Sequence, residues 1–195
     1  MVGSAELLRK LIHLFNLLIP ICYLTVVPDR VEMTVAMAAF ALVFILIDFA
    51  RLRIPRVKDI FHQLFNFMMR KHELEGKITG ATWAFIISVP VIYFFPKEIA
   101  VLSLVFMSVG DTAASIMGQT FGKRFIGSKS LEGTLSCFGA CMIVILVFNI
   151  VPFYVGLSGA VSAAIFEVLP VNIDDNILIP IGSGTTMLIM SSFIV

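Results

Sequence analysis

The chain has 195 residues, of which 59% are hydrophobic and 14% are charged, with a mean hydropathy of +1.01 and a net charge of +1. Roughly 25% of residues are charged in a typical soluble domain, so this composition excludes an ordinary soluble protein. It also excludes a nucleic-acid-binding protein, because the basic residues occur only in short segments beside apolar runs. We expect a single polytopic membrane domain over residues 1–195.

Seven apolar runs are long enough, or nearly so, to cross a bilayer, which takes about 20 helical residues. Because backbone groups in lipid must be paired internally, and no run alternates in polarity, each run predicts a transmembrane helix. The predicted spans are residues 7–27, 33–50, 79–95, 98–120, 134–151, 153–169 and 177–195. The predicted fold is therefore an all-α integral membrane protein. The first run is too long and too polar for a signal peptide, so we expect it to be a retained span.

The first span carries one polar stripe, formed by Glu6, Arg9, Lys10, His13 and Asn16. A stripe that only anchored the helix at the membrane surface would end at Lys10. Because His13 and Asn16 continue into the apolar region, the pattern favours the wall of a polar cavity. A hydrogen bond between helices is the alternative.

The segment that follows the second span begins at Pro55 and repeats apolar residues at helical spacing, opposite a polar face. The repeated apolar residues are Val57, Ile60, Phe61, Leu64, Phe65 and Met68. Such a pattern predicts an amphipathic helix along the membrane surface. Its simpler role is to connect two spans, and a direct role in admitting lipid is the alternative.

The stretch RKHELEGKITGATW, residues 70–83, opens the third span. Cations and Trp83 are typical of a membrane-interface anchor. Glu73, Glu75 and Lys77 make the stretch richer in charge than an anchor requires.

The stretch VGDTAASIMGQTFGKRFIGSKSLEGT, residues 109–134, places charge and glycine between two apolar runs. Asp111 lies about 21 Å along a helix from Lys97, which is inside the membrane. A carboxylate there costs about 2.5–3.5 kcal/mol on insertion scales, so it should face protein or water and have a partner. Ala114, Gly118 and Gly122 follow at intervals of four residues, and their simplest role is close helix packing.

Packing does not account for Lys123, Arg124, Lys129 and Glu132 in the same stretch. A glycine-rich loop lets backbone N–H groups approach phosphates while nearby cations neutralise them. The spacing is not that of a P-loop. The pattern predicts a phosphate-binding loop of another kind.

Acidic residues gather in the stretch EVLPVNIDDN, which contains Glu167, Asp174 and Asp175. They could simply be solvated. Beside a cationic phosphate loop they are candidate Mg²⁺ ligands, because Mg²⁺ takes one or two carboxylates together with substrate phosphates. Asp48, three residues before Arg51, is more simply explained by an ion pair within one helix.

The positive charges divide unequally between the two sides of the predicted bundle. Of 14 Lys and Arg residues, Arg30 and Lys97 alone fall on one side. The positive-inside rule therefore predicts a cytoplasmic N-terminus, with the polar clusters at the cytoplasmic face.

These motifs resemble the CTP-dependent lipid kinases, a family that includes dolichol kinase, CTP-dependent diacylglycerol kinase and phytol kinase. The family pattern joins GD-x2-A-x-I-x-G to GK and a later K-S-x-E-G-T, and RK-x2-H and EGK-x-TGATW are also similar to it. The resemblance implies CTP as phosphoryl donor, a polyprenol, phytol-like or diacylglycerol acceptor, and Mg²⁺. It also implies the cell membrane as location in a prokaryote, or the endoplasmic reticulum in a eukaryote. Dolichol kinases are usually longer, so the chain resembles a catalytic core.

The resemblance and the clusters together give candidate roles for individual residues. The candidate catalytic residues are Asp111, Glu132 and His13, and the candidate Mg²⁺ ligands are Asp111, Glu132 and Asp175, one of which could instead orient the attacking hydroxyl. The candidate cofactor-binding residues are Arg9, Lys10, Lys77, Gly118, Gly122, Lys123, Arg124, Lys129 and Ser130.

Two other functions are compatible with part of this pattern. A cytidylyltransferase that makes a CDP-lipid would use similar cations and metal, but the HGG and DR elements typical of phosphatidate cytidylyltransferases are missing. A transporter would use Asp111 and Glu167 as an ion path. It would also need polar residues through the whole membrane, and here they end before the outer face.

Overall fold

The structure, a computed structural model, describes residues 4–65, 69, 73 and 76–193. Among the residues discussed above, Met68 and residues 70–72, 74 and 75 of the stretch 70–83 lie outside this part of the chain. In the described part, helices account for nearly all regular structure, and one short hairpin is the exception. The elements are α1 (Ser4–Leu14), a 3-10 turn (Phe15–Leu17), α2 (Leu18–Thr25), α3 (Arg30–Arg53), α4 (Pro55–Phe65), α5 (Gly80–Phe94), α6 (Lys97–Val105), a π-helical turn (Phe106–Gly110), α7 (Asp111–Phe121), β1 (Phe125–Ile126), β2 (Lys129–Ser130), α8 (Leu131–Phe148), α9 (Phe153–Val168) and α10 (Asp175–Ser192).

Every predicted span coincides with helical structure, so the predicted all-α membrane fold is confirmed. Within the described residues, four stretches are long and apolar enough to cross a membrane: Glu6–Thr25, Arg30–Arg53, Lys97–Phe121 and Leu131–Phe148. Helices α5 and α9 are apolar but shorter. Seven crossings therefore remain a prediction.

The stretch Lys97–Phe121 is the centre of the bundle. Its most apolar window is 78% buried by other helices, whereas the corresponding windows of Arg30–Arg53 and Leu131–Phe148 are 22% and 28% buried. The outer helices expose apolar side chains such as Val43 and Leu146, as helices that face lipid do. Because Asp111 lies on the central stretch, other protein elements surround it.

Side-chain caps fix where several helices begin. Asp29 caps α3, Thr79 caps α5, Ser130 caps α8 and Asp174 caps α10, each by accepting a hydrogen bond from a backbone N–H in the first turn. Three of these four caps belong to the polar stretches identified in the sequence. Three of the polar stretches therefore lie where helices begin, because residues of these stretches cap α5, α8 and α10.

Helices α7 and α8 cross closely through small residues. A Cβ added at Gly118 would lie 2.8 Å from Ser130 Oγ, and one at Gly133 would lie 2.7 Å from the carbonyl oxygen of Ala114. Both distances are shorter than a side chain tolerates, so this contact requires glycine. The predicted small-residue packing is confirmed, and it holds the β1–β2 hairpin beside α7.

The predicted amphipathic helix is present as α4. Ile60 and Leu64 are exposed on it, and Phe61 lies under the guanidinium of Arg51, 5.2 Å from its ring centroid. This contact attaches α4 to the end of α3. The placement of α4 along a membrane surface remains a prediction.

Candidate functional site: two cavities with a shared wall

Two cavities of different chemistry lie side by side in the described part of the chain. The larger, here called the apolar cavity, has a volume of about 530 Å³. The smaller, here called the polar cavity, has a volume of about 400 Å³. Arg9, Lys10 and Asp111 line both cavities and form their shared wall.

The apolar cavity is enclosed mainly by α1, α3, α4 and α5. Its apolar lining consists of Ile12, Phe44, Ile47, Phe61, Phe65, Met69 and Ala81. His13 and Asn16 also line it, so the polar stripe of the first span does form part of a cavity wall. Ligand pockets commonly combine such an apolar lining with a few placed polar groups.

Asp48 organises one end of the apolar cavity. Its Oδ2 accepts hydrogen bonds from Thr79 N at 2.9 Å and from Thr82 Oγ1 at 2.7 Å. Its Oδ1 lies 2.9 Å from the guanidinium of Arg51, which is 2% exposed. The predicted pair of Asp48 and Arg51 within α3 is confirmed. Arg51 also donates to the backbone carbonyl of Glu73, so the pair ties the chain before α5 to α3.

An ion pair between Lys10 and Asp111 forms the shared wall. Lys10 Nζ lies 2.5 Å from Asp111 Oδ2, and the two residues are 2% and 6% exposed. His13 Nε2 lies 3.3 Å from the same oxygen and 3.4 Å from the carbonyl oxygen of Met107. The partner that a carboxylate at this depth requires is therefore Lys10, with His13 beside it.

A π-helical turn, Phe106–Gly110, immediately precedes Asp111. Such turns are rare in proteins as a whole, but many of those that occur lie at functional sites. They leave a backbone carbonyl oxygen available to other groups. Here the carbonyl oxygen of Met107, within the turn, faces His13. A Cβ at Gly110 would lie 2.9 Å from Cys137 Sγ, so the glycine of the GD motif lets α8 pack against this turn.

Lys129 is the central cation of the polar cavity. Its Nζ lies 2.8 Å from Asp175 Oδ2 and 3.4 Å from Glu167 Oε1. Thr134 donates a 2.9 Å hydrogen bond to the other oxygen of Glu167. Burial alone would lower the pKa of Lys129, but Asp175 and then Glu167 outweigh it and raise this pKa above its ordinary value. Lys129 therefore stays charged at neutral pH.

The structure brings most of the candidate residues together. Those that line the polar cavity are Arg9, Lys10, Asp111, Gly118, Gly122, Lys129, Ser130 and Asp175. Ser130 lies there because it caps α8, where its Oγ accepts a 3.1 Å hydrogen bond from Gly133 N. His13 lines the apolar cavity.

Four candidates line neither cavity. The carboxylate of Glu132 accepts hydrogen bonds from the backbone N of Lys123 at 3.0 Å and of Arg124 at 3.3 Å. Glu132 therefore holds the loop before the hairpin, and the side chains of Lys123 and Arg124 are exposed. Lys77 is exposed as well, and its backbone carbonyl accepts a 2.8 Å hydrogen bond from Arg51.

The predicted Mg²⁺ ligand set of Asp111, Glu132 and Asp175 remains a prediction, and Oε2 of Glu132 is engaged by the loop backbone. No group of three or more His, Cys, Asp or Glu residues that could hold a metal ion occurs in the described ranges. Glu167, absent from the predicted ligand set, takes a place in the polar cavity. Its signal was a carboxylate within an apolar helix, the same signal that identified Asp111.

The chain is similar to curated fungal proteins named CTP-dependent diacylglycerol kinase 1. It is 34% identical over 107 residues to the protein of Eremothecium gossypii, which covers 53% of this chain and 33% of that protein. It is 29% identical over 177 residues to the protein of Saccharomyces cerevisiae, which covers 76% of this chain and 60% of that protein. For the protein of Schizosaccharomyces pombe the identity is 28% over 156 residues, covering 70% and 71% of the two chains.

These relatives confirm the resemblance to CTP-dependent lipid kinases that the motifs indicate. The chain spans 33% and 60% of the length of the first two. No family model and no solved structure matches the chain.

Proposed function

We propose that the protein transfers the γ-phosphoryl group of CTP to the hydroxyl of a membrane lipid alcohol. The observation that supports this proposal most strongly is the pair of adjoining cavities, one apolar and one cationic, which share Lys10 and Asp111 as a wall. A lipid kinase needs such a pair of cavities, because its two substrates differ in solubility. The hydroxyl of the lipid must nevertheless reach the γ-phosphorus of CTP.

The polar cavity is proposed to hold the phosphates of CTP. Positive charge there comes from Lys129, Arg9 and Lys10. Gly118, within α7, and Gly122, just after its last residue, line the same cavity and carry no side chain. Phosphoryl transfer depends mainly on positioning and on neutralising the charge of the transferred group. These residues supply both.

The apolar cavity is proposed to hold the end of the lipid that carries the hydroxyl. Its volume of about 530 Å³ is within the range of ligand pockets, so it takes part of a lipid while the remaining chain stays in the bilayer. The fungal relatives are named for diacylglycerol. Diacylglycerol, a polyprenol and a phytol-like alcohol all fit this description.

Asp111 is proposed to orient the attacking hydroxyl, because it is the one carboxylate in the described chain that lines both cavities. The lipid oxygen forms a bond to the γ-phosphorus, and the bond between that phosphorus and the bridging oxygen breaks. CDP leaves with the bond's electrons, and the hydroxyl proton passes to Asp111. Lys10 Nζ lies 2.5 Å from Asp111 Oδ2 and holds that carboxylate at the wall between the two cavities.

Asp175 and Glu167 are the residues proposed to hold Mg²⁺. Both lie within 3.4 Å of a single cation, Lys129 Nζ, so their carboxylates already converge on one positive charge. Two carboxylates with substrate phosphates are a usual Mg²⁺ ligand set. When bound, the ion would neutralise charge on the phosphates. Glu167 is preferred to Glu132 in this proposal because Oε2 of Glu132 already accepts hydrogen bonds from the loop backbone.

The proposal is tested with labelled CTP and the purified chain in lipid vesicles that contain dioleoylglycerol, phytol or a polyprenol. Label from the γ position should enter a chloroform-soluble product, and label from the α position should remain in water as CDP. In parallel vesicles that contain phosphatidic acid, entry of label from the α position into the lipid would instead identify a cytidylyltransferase and refute the kinase.

A further inference from the structure

One face of α7 lines the polar cavity over nearly the whole length of the helix. The lining residues of α7 and of the position just after it recur at helical spacing: Asp111, Ala114, Ser115, Gly118, Gln119 and Gly122. Asp111 and Gln119 are eight residues apart, which is about 12 Å along the helix axis. This length is comparable with the distance from the γ-phosphate to the base of an extended nucleoside triphosphate, so a nucleotide can lie along α7.

The two ends of this face of α7 differ in chemistry. At its first turn Asp111 pairs with Lys10, at the wall shared with the apolar cavity. In its last turn lies Gln119, which is uncharged and exposed, and the exposed aromatic ring of Phe125 in β1 lines the same cavity. Bases stack favourably on aromatic side chains. Under the proposed function the γ-phosphoryl group lies beside Asp111, so the base of the nucleotide lies toward Gln119.

A chain of hydrogen bonds fixes the orientation of the Gln119 amide. Ser115 Oγ donates its proton to Glu6 Oε1 at 2.8 Å, because a carboxylate accepts without donating. Toward Gln119, Ser115 Oγ can therefore only accept, and Gln119 Nε2 donates to it at 3.2 Å. Exchanging Nε2 and Oε1 would place two acceptors against each other. The oxygen is therefore the end of the amide left for a ligand, and the exposed side chain is within reach of one in the cavity.

An acceptor in a fixed orientation distinguishes cytosine from uracil. At position 4 of the ring cytosine carries an amino group, which donates, whereas uracil carries a carbonyl oxygen, which accepts. Gln119 Oε1 can bind the amino group and opposes the carbonyl oxygen. We infer that Gln119 binds the 4-amino group of the cytosine base and so selects CTP over UTP. This inference rests on the proposed function for the identity of the nucleotide, but binding can be measured without a lipid acceptor.

The test compares nucleotides that differ at position 4 of the base. CTP, UTP and the triphosphate of pyrimidin-2-one riboside, which has hydrogen in place of the amino group, are titrated calorimetrically into the full chain in detergent micelles with Mg²⁺ and no lipid alcohol. The wild type should bind CTP about tenfold more tightly than the pyrimidinone nucleotide, the factor that corresponds to one hydrogen bond of about 1.4 kcal/mol. UTP should bind no better than the pyrimidinone nucleotide.

Substitutions at Gln119 then assign the preference. Gln119→Leu and Gln119→Ala should each bind CTP and the pyrimidinone nucleotide within about twofold of each other, because neither side chain accepts a hydrogen bond. Gln63→Leu is the matched control and should keep the preference, since Gln63 is exposed and lines neither cavity in the described chain. Equal affinity of the wild type for the two nucleotides would overturn the inference, as would an unchanged preference in both Gln119 variants.

The binding test and the kinase test can fail separately. A preference for CTP that depends on Gln119, without transfer of γ-label to a lipid, would support the base site and refute the kinase. Transfer of γ-label by a chain that binds CTP and the pyrimidinone nucleotide equally would refute the base site alone. Absence of CTP binding would refute both.

Discussion

The apolar and polar cavities share Arg9, Lys10 and Asp111 but differ in nearly every other residue that lines them. The polar cavity lies between α7, the hairpin and the start of α10, whereas the apolar cavity lies between α1, α3, α4 and α5. The first turn of α10 contributes residues to both cavities: Asp175 lines the polar cavity and Asn176 lines the apolar cavity. Under the proposed function, the two cavities place substrates of opposite solubility on the two sides of one ion pair.

The largest expected effect comes from the wall itself. Asp111→Asn keeps the shape of the side chain but removes the charge that binds Lys10 and orients the hydroxyl, so kcat should fall by about 100-fold or more. The measurement is transfer of γ-label by equal amounts of folded protein.

Asp29→Asn is the matched control for that substitution. Asp29 caps α3 and lines neither cavity in the described chain, and asparagine caps helices as well as aspartate does. Its kcat should stay within about twofold of wild type. Near-normal activity of Asp111→Asn would assign Asp111 to packing alone.

A change confined to the polar cavity should alter nucleotide binding alone. Lys129→Ala removes the central cation, so KM for CTP should rise by about 10- to 100-fold, as expected when a charge-assisted contact is lost. KM for the lipid should stay within about twofold, because Lys129 does not line the apolar cavity. Steady-state kinetics with both substrates varied measures this split.

Lys123→Ala provides the contrast within the same loop. The Lys123 side chain is exposed and lines neither described cavity, so KM for CTP should rise by less than about threefold. An equal effect of Lys123→Ala and Lys129→Ala would mean that the phosphates lie on the outer side of the hairpin.

The glycines beneath the polar cavity should matter for stability. Gly118→Ala places a Cβ 2.8 Å from Ser130 Oγ and should destabilise the protein by about 1–3 kcal/mol. Gly139→Ala, in the interior of α8 with no atom within 4 Å of the added Cβ, should stabilise it by up to about 1 kcal/mol. Thermal unfolding in detergent compares the two. Equal stability of both variants would show that α7 and α8 do not pack this closely.

The smallest effect on activity is expected from two cysteine substitutions that report the topology of the chain in the membrane. Lys97→Cys and Lys123→Cys should be labelled by a membrane-impermeant maleimide from opposite sides, with Lys123 on the cytoplasmic side, because of the asymmetry of positive charge. Labelling of both from one side would contradict the proposed orientation.

The sequence predicted features that depend on residues close together in the chain. Apolar run length located the helices, and the burial cost of Asp111 indicated that it has a partner. The stripe through Lys10 and His13 indicated which face of α1 is polar. Each of these follows from helical periodicity or from the cost of one charge.

Features that depend on helix packing could not be predicted. Lys10 and Asp111 are 101 residues apart, and Asp48 and Thr82 are 34 apart. The tertiary arrangement decides these contacts, and no local spacing reports it. The contacts of Glu132 are a related case: the turn before the hairpin directs two backbone N–H groups at its carboxylate. Sequence alone does not reveal that turn.

The central claim is that the two substrates occupy separate cavities on either side of Asp111, and cross-linking tests it most directly. The chain is irradiated with a diazirine-bearing diacylglycerol or with an azido derivative of CTP, and the modified peptides are identified by mass spectrometry. The lipid probe should modify α3 and α4 near Ile47 and Phe61, and the nucleotide probe should modify the hairpin near Ser128. Modification of the same peptides by both probes would contradict the two-cavity account.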